Sequence, residues 1–127
     1  MSYEQNYLEV ALMYELKSKE ELLRAVRGND IVLIEYYEPG NRDCQVMYES
    51  MKEFSRYADR SIFFCRVNVR EHPEIADVND VPAIRVYYKG ELIFEQMGVL
   101  STVELNLKVI RRSIREVFNK RNIHVKI

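Results

Sequence analysis

A chain of 127 residues, 47% hydrophobic and 31% charged, has the make-up of one ordinary globular domain and is long enough to bury a core. A formal net charge of −1 and a pI near 6.2 leave no global field that would draw it to nucleic acid or a membrane surface. The longest apolar runs, "IVLI" and "SIFF", are far too short to span a bilayer, and the N-terminus has no basic leader region, so the expected compartment is the cytoplasm.

Cys44 and Cys65 are the only cysteines, and His72 and His124 stand apart from them. A zinc site needs about four ligands at suitable spacing, so neither a metal nor a cofactor is expected. Lys, Arg, Glu, Ile, Val and Tyr are plentiful while Gln is scarce, a mix seen in thermophile proteins.

In chain order, residues 8–16, "LEVALMYEL", read as a first strand. "SKEELLRAVRGN" reads as a short helix, with Ser18 and Glu21 forming a capping box and Gly28 placed for a left-handed stop. "IVLIEYY" (31–37) is a near-continuous β-branched and aromatic run, as expected of a central strand buried on both faces. A Pro-Gly turn follows, then a helix over roughly 43–58 with Asp43 as N-cap and an inner face of Met47, Met51, Phe54 and Ala58. "SIFFCRVNV" (61–69) reads as another buried strand, and "EHPEIADVND" has room for one helical turn starting at Pro73. "AIRVYY" and "ELIFEQ" flank Lys89-Gly90, a hairpin signal. Ser101 with Glu104 forms a second capping box before a last helix whose inner face is Val103, Leu107, Ile110, Ile114, Val117 and Phe118. The tail "NIHVKI" alternates like an edge strand, of this sheet or of another subunit's. Two βα units, a hairpin and a closing helix imply an α/β fold with a mixed central sheet flanked by helices on both faces, in one domain over 1–127.

Several of these segments together resemble the thioredoxin family. Nine positions separate Glu35 from Cys44, the family's distance from its buried acid to its second active-site cysteine. "VNVREHP" is similar to the family's third strand end, "DVPAIRVYYKGELI" to its cis-proline loop and hairpin, and "MGVLSTVEL" to the glycine and capped final helix. The likeness runs over about residues 10–118, leaving 119–127 as a C-terminal extension, and places Pro82 at the cis-proline position. Where the family carries Trp-Cys-Gly-Pro-Cys, this chain has "GNRDC": Gly40 replaces the tryptophan, Asn41 the exposed nucleophile, and Cys44 keeps the resolving position.

The chemistry of that change is severe. Disulfide exchange starts with attack by an exposed thiolate of lowered pKa, and an Asn amide cannot attack sulfur. Cys65 lies mid-strand in "FFCRV", where cysteine behaves as a small hydrophobe. Cys44 is then either a monothiol, with Glu35 as its proton acceptor, or an inert sulfur packed under the turn; a Cys44–Cys65 disulfide is a third arrangement. Glu35 in turn is either that base or a carboxylate turned to the sheet edge or held by Tyr hydroxyls. A cis bond before Pro82 would present the Val81 backbone to an extended peptide, with Pro39, Gly40, Asn41, Arg42 and Asp43 around it and Tyr48 at the margin.

The resemblance therefore implies an atypical thioredoxin-like protein with a degenerate active site. The leading expectation is a protein-binding module of adaptor or chaperone type that acts through the cis-Pro82 loop. The alternative is a monothiol disulfide oxidoreductase in cell redox homeostasis, with a reducing partner or glutathione in place of the missing cysteine. Lys108, Arg111, Arg112 and Arg115 share one face of the last helix, either a solvated outer surface or a site for an anionic partner such as nucleic acid.

Overall fold

The computed structural model describes residues 13–127. Strand β1 (Tyr14–Glu15) is followed by α1 (Lys19–Gly28), β2 (Ile31–Tyr37), α2 (Arg42–Tyr57), β3 (Ile62–Asn68), a 3-10 turn (Pro73–Ile75), β4 (Ala83–Tyr88), β5 (Glu91–Met97) and α3 (Val103–Lys120). The five strands lie in the order β1-β3-β2-β4-β5, with β1, β3 and β2 parallel and β4 and β5 antiparallel. Of the strand expected over 8–16, residues 8–12 lie outside the described residues.

The pleat of β2 explains the layering. Ile31 and Leu33 point into a core with Met47, Met51 and Phe54 of α2 and Ile110, Ile114 and Phe118 of α3. Val32, Ile34 and Tyr36 point the other way, against Ala25 and Val26 of α1 and Ile75 of the 3-10 turn. A strand covered on both sides needs apolar residues at every position, which is what "IVLI" supplies. The β4–β5 connection closes through Lys89 (φ +49) and Gly90 (φ +86), the two left-handed positions of a tight hairpin turn.

Five local expectations are corrected. Gly28 stays helical and the chain leaves α1 at Asn29, whose side-chain amide donates to the Ala25 carbonyl at 2.9 Å. Asn41, not Asp43, caps α2, and Thr102, not Ser101, caps α3. The tail 122–127 joins no strand; Ile123 and Ile127 are buried against the α2–α3 core, and Asp59 N–H donates to the Lys126 carbonyl at 2.8 Å. Arg111 leaves the cationic face to meet that tail, its Nη2 donating to the Ile127 carbonyl at 3.0 Å, while Lys108, Arg112 and Arg115 remain exposed.

The α3 stripe also hides a polar residue. Asn106 is fully buried; its amide donates to Ser50 Oγ at 3.0 Å, and its carbonyl oxygen accepts from Leu100 N–H at 3.2 Å. These bonds tie α3 to α2 and fix the loop that leaves β5. Among the described residues no helix is long and apolar enough to cross a membrane.

Candidate functional site

The C-terminal ends of β2 and β3 lie at the same end of the sheet as the start of β4 and the end of β5, because Tyr36 pairs with Ala83 and Ala83 with Met97. This end gathers the segments singled out by the sequence. Glu38-Pro39-Gly40-Asn41 form a turn in which Asn41 N–H meets the Glu38 carbonyl at 3.4 Å, and Gly40 takes φ +79, a conformation that suits glycine in this position. The Val81–Pro82 peptide is cis, and the Pro82 carbonyl accepts from Gly98 N–H at 2.8 Å, joining the cis-proline loop to the end of β5.

Asn41 has a specific job here. Its Oδ1 accepts the backbone N–H of Cys44 at 3.0 Å, so the residue in the nucleophile's place is the cap of the helix. Cys44 is only 3% exposed, and its Sγ accepts from Glu38 N–H at 3.4 Å. Burial pushes the thiol above its ordinary value; the Glu38 N–H opposes this, and the charges of Glu35, Glu38 and Asp43 add to the rise. Cys65 is fully buried against the Leu33 carbonyl and is pushed up to about 12 by burial alone. Both cysteines are free thiols, so the Cys44–Cys65 disulfide is not formed.

Glu35 turns neither to the sheet edge nor to a tyrosine. It is fully buried, and Oε1 accepts from Arg66 Nε at 3.0 Å across the β2–β3 register, while Oε2 has no hydrogen-bond partner among the described residues. Burial raises its pKa to about 7, with the charge and hydrogen bond of Arg66 drawing it partly back. The Arg66 guanidinium lies between two rings, 3.8 Å from the centroid of Tyr37 and 4.1 Å from that of Tyr48. Glu15 completes the cluster, 3.4 Å from Arg66 Nη1 and accepting the Tyr37 hydroxyl at 2.9 Å. Tyr48 thus belongs to this clamp.

Sequence reasoning missed the clamp. The available signal was an arginine inside "FFCRV", since a buried strand keeps a charge only when a partner stands beside it. It also missed Asp80, whose Oδ1 accepts Val81 N–H at 2.8 Å and so occupies one of the two backbone groups expected to face a peptide. Pro39, Gly40, Arg42 and Asp43 are exposed, Asn41 and Val81 half-buried, and Pro82 buried.

A mixed sheet with helices on both faces, a cis-proline loop and a turn-and-helix cysteine at its end define a thioredoxin-fold domain. The thioredoxin family model matches residues 14–111, and the chain belongs to that family. Among solved structures it is similar to oxidised mitochondrial thioredoxin 3 from Saccharomyces cerevisiae, at 20% identity and TM-score 0.70, covering 85% of this chain and 98% of that one. Oxidised thioredoxin from Plasmodium falciparum gives 18% identity and TM-score 0.68 over 80% of this chain and 97% of that one. A point mutant of the thioredoxin from Halobacterium salinarum gives 20% and 0.65 over 79% and 88%. No curated protein matches the chain in sequence.

Proposed function

We propose that this protein uses the cis-Pro82 end of its sheet to bind protein segments and does not turn over disulfides. The observation that carries this reading is the state of the turn: Asn41 stands where an attacking sulfur is needed, and the one sulfur present, Cys44, is buried, raised in pKa and bonded to Glu38 N–H. A monothiol cycle needs an accessible thiolate; burial and the raised pKa work against one, and the Glu38 N–H offsets that rise only in part.

What remains at this end is recognition surface. Pro39, Gly40, Arg42 and Asp43 project from the turn, and Val81 and Pro82 border them. Reduction of insulin by dithiothreitol is the test. The wild-type protein is expected to leave the uncatalysed rate unchanged, and clear catalysis would exclude the binding-only reading.

A further inference from the structure

Of the six large apolar side chains exposed among the described residues, three belong to one short stretch. Met97 is 43% exposed, Leu100 36% and Leu105 45%. Met97 ends β5 opposite Ala83, Gly98 N–H is bonded to the Pro82 carbonyl, and Leu100 N–H is held by Asn106. Leu105 lies in the first turn of α3, its N–H on Thr102 Oγ1. The row therefore continues from the cis-proline loop onto the start of α3, on backbone that is hydrogen-bonded in place. Leu92, by contrast, lies at the opposite end of β5.

The charge around this row is one-sided. Although the chain as a whole is near neutral, Asp43, Asp80 and Glu104 are all exposed at this end of the sheet, with Asp77 exposed but 3.8 Å from Arg85 Nη1, whereas the exposed cations of α3 begin only at Lys108. Arg42 is the one exposed cation of the turn, and Arg70 nearby is already paired with Glu38. The cis-proline edge is acceptor-rich as well: Asp80 fills the Val81 N–H and leaves its carboxylate facing outward. A strand that offered a carbonyl to Val81 would meet that carboxylate, whereas a partner that offers ammonium or guanidinium groups would find acceptors.

We infer that the Met97–Leu100–Leu105 row with its Asp43, Asp80 and Glu104 rim docks an apolar polypeptide segment flanked by Lys or Arg. This rests on the binding function proposed above and names the chemistry of its partner. Apolar side chains bury on the row for affinity, and the acidic rim selects the sign of the flanking charges.

The test uses two fluorescein-labelled peptides with the same Leu-Val-Leu centre, one flanked by lysines and the other by glutamates, titrated against the whole protein. The basic peptide is expected to bind about tenfold tighter at low salt, with the gap closing as salt screens the rim. Asp43→Asn with Asp80→Asn should erase that preference, while the amide oxygen introduced at position 80 still accepts the Val81 N–H. Leu100→Ser with Leu105→Ser, both at exposed positions, should weaken both peptides. Equal binding of the two peptides by the wild type would overturn the charge assignment and leave the binding function standing. No binding of either, or binding indifferent to the leucine changes, would overturn the surface itself. A concentration-dependent dimer that Leu105→Ser dissolves would assign the row to a second copy and overturn the proposed partner.

Discussion

The contribution of Glu35 to stability is expected to fall as the pH rises from 4.5 to about 7. Burial raises its folded-state pKa from 4.5 to about 7, because Arg66 offsets only part of the cost of holding a carboxylate out of water. Between those values the folded protein keeps a proton that the unfolded chain has released. Each pH unit then removes about 1.4 kcal/mol, and the whole window about 3 kcal/mol. The contribution is complete below 4.5, is lost as the pH passes about 7, and is flat beyond. Asp59 and Glu91 are shifted the other way, so their losses come at lower pH and do not imitate this slope.

Glu35→Gln keeps the shape and removes the titration. In denaturant unfolding at about pH 5 and about pH 8, the stability gap between wild type and variant should change by about 3 kcal/mol in favour of the variant at the higher pH. The same gap at both pH values would mean that Glu35 ionises like an exposed carboxylate, and that Arg66 compensates its burial fully.

Asn41→Cys is expected to create disulfide-reducing activity where the wild type has none. The Asn41 side chain already reaches Cys44 N–H at 3.0 Å, so a sulfur on the same Cβ stands at the helix start, one turn before Cys44. There the helix dipole lowers a thiol's pKa, and Cys44 is in place to resolve the mixed disulfide. The substitution removes the Asn cap at a cost of about 1 kcal/mol, so the variant should melt a few degrees earlier and still fold. In the insulin assay the variant should exceed the background about tenfold or more, and adding Cys44→Ser should remove the turnover. A folded Asn41→Cys variant with no activity would show that losing the nucleophile is not what silences the turn.

The parts of this protein that were legible in the sequence are those written in local pattern. "IVLIEYY" specified a strand buried on both faces, and Lys89-Gly90 the hairpin. The helix starts were harder because capping residues stand close together. Asn41 and Asp43, or Ser101 and Thr102, satisfy the same preference, and only the path of the entering backbone selects Asn41 and Thr102. Glu35 could not be placed without Arg66, a partner 31 residues away brought alongside only by strand register. Arg111 looked like its basic neighbours until the tail folded back onto α3 and offered it a carbonyl. Asn106 was hidden by its position in an apolar stripe, since a buried amide there needs Ser50 and Leu100, which sequence spacing does not bring together.

The alkylation rate of Cys44 as a function of pH, read by mass spectrometry so that Cys65 is scored separately, tests the silent turn most directly. Slow labelling of the folded protein, titrating above the ordinary thiol value of about 8.5 and accelerating on unfolding, is the expected result. Fast labelling in the folded state with a midpoint well below about 8.5 would mean an accessible thiolate, and would contradict a binding function without thiol chemistry.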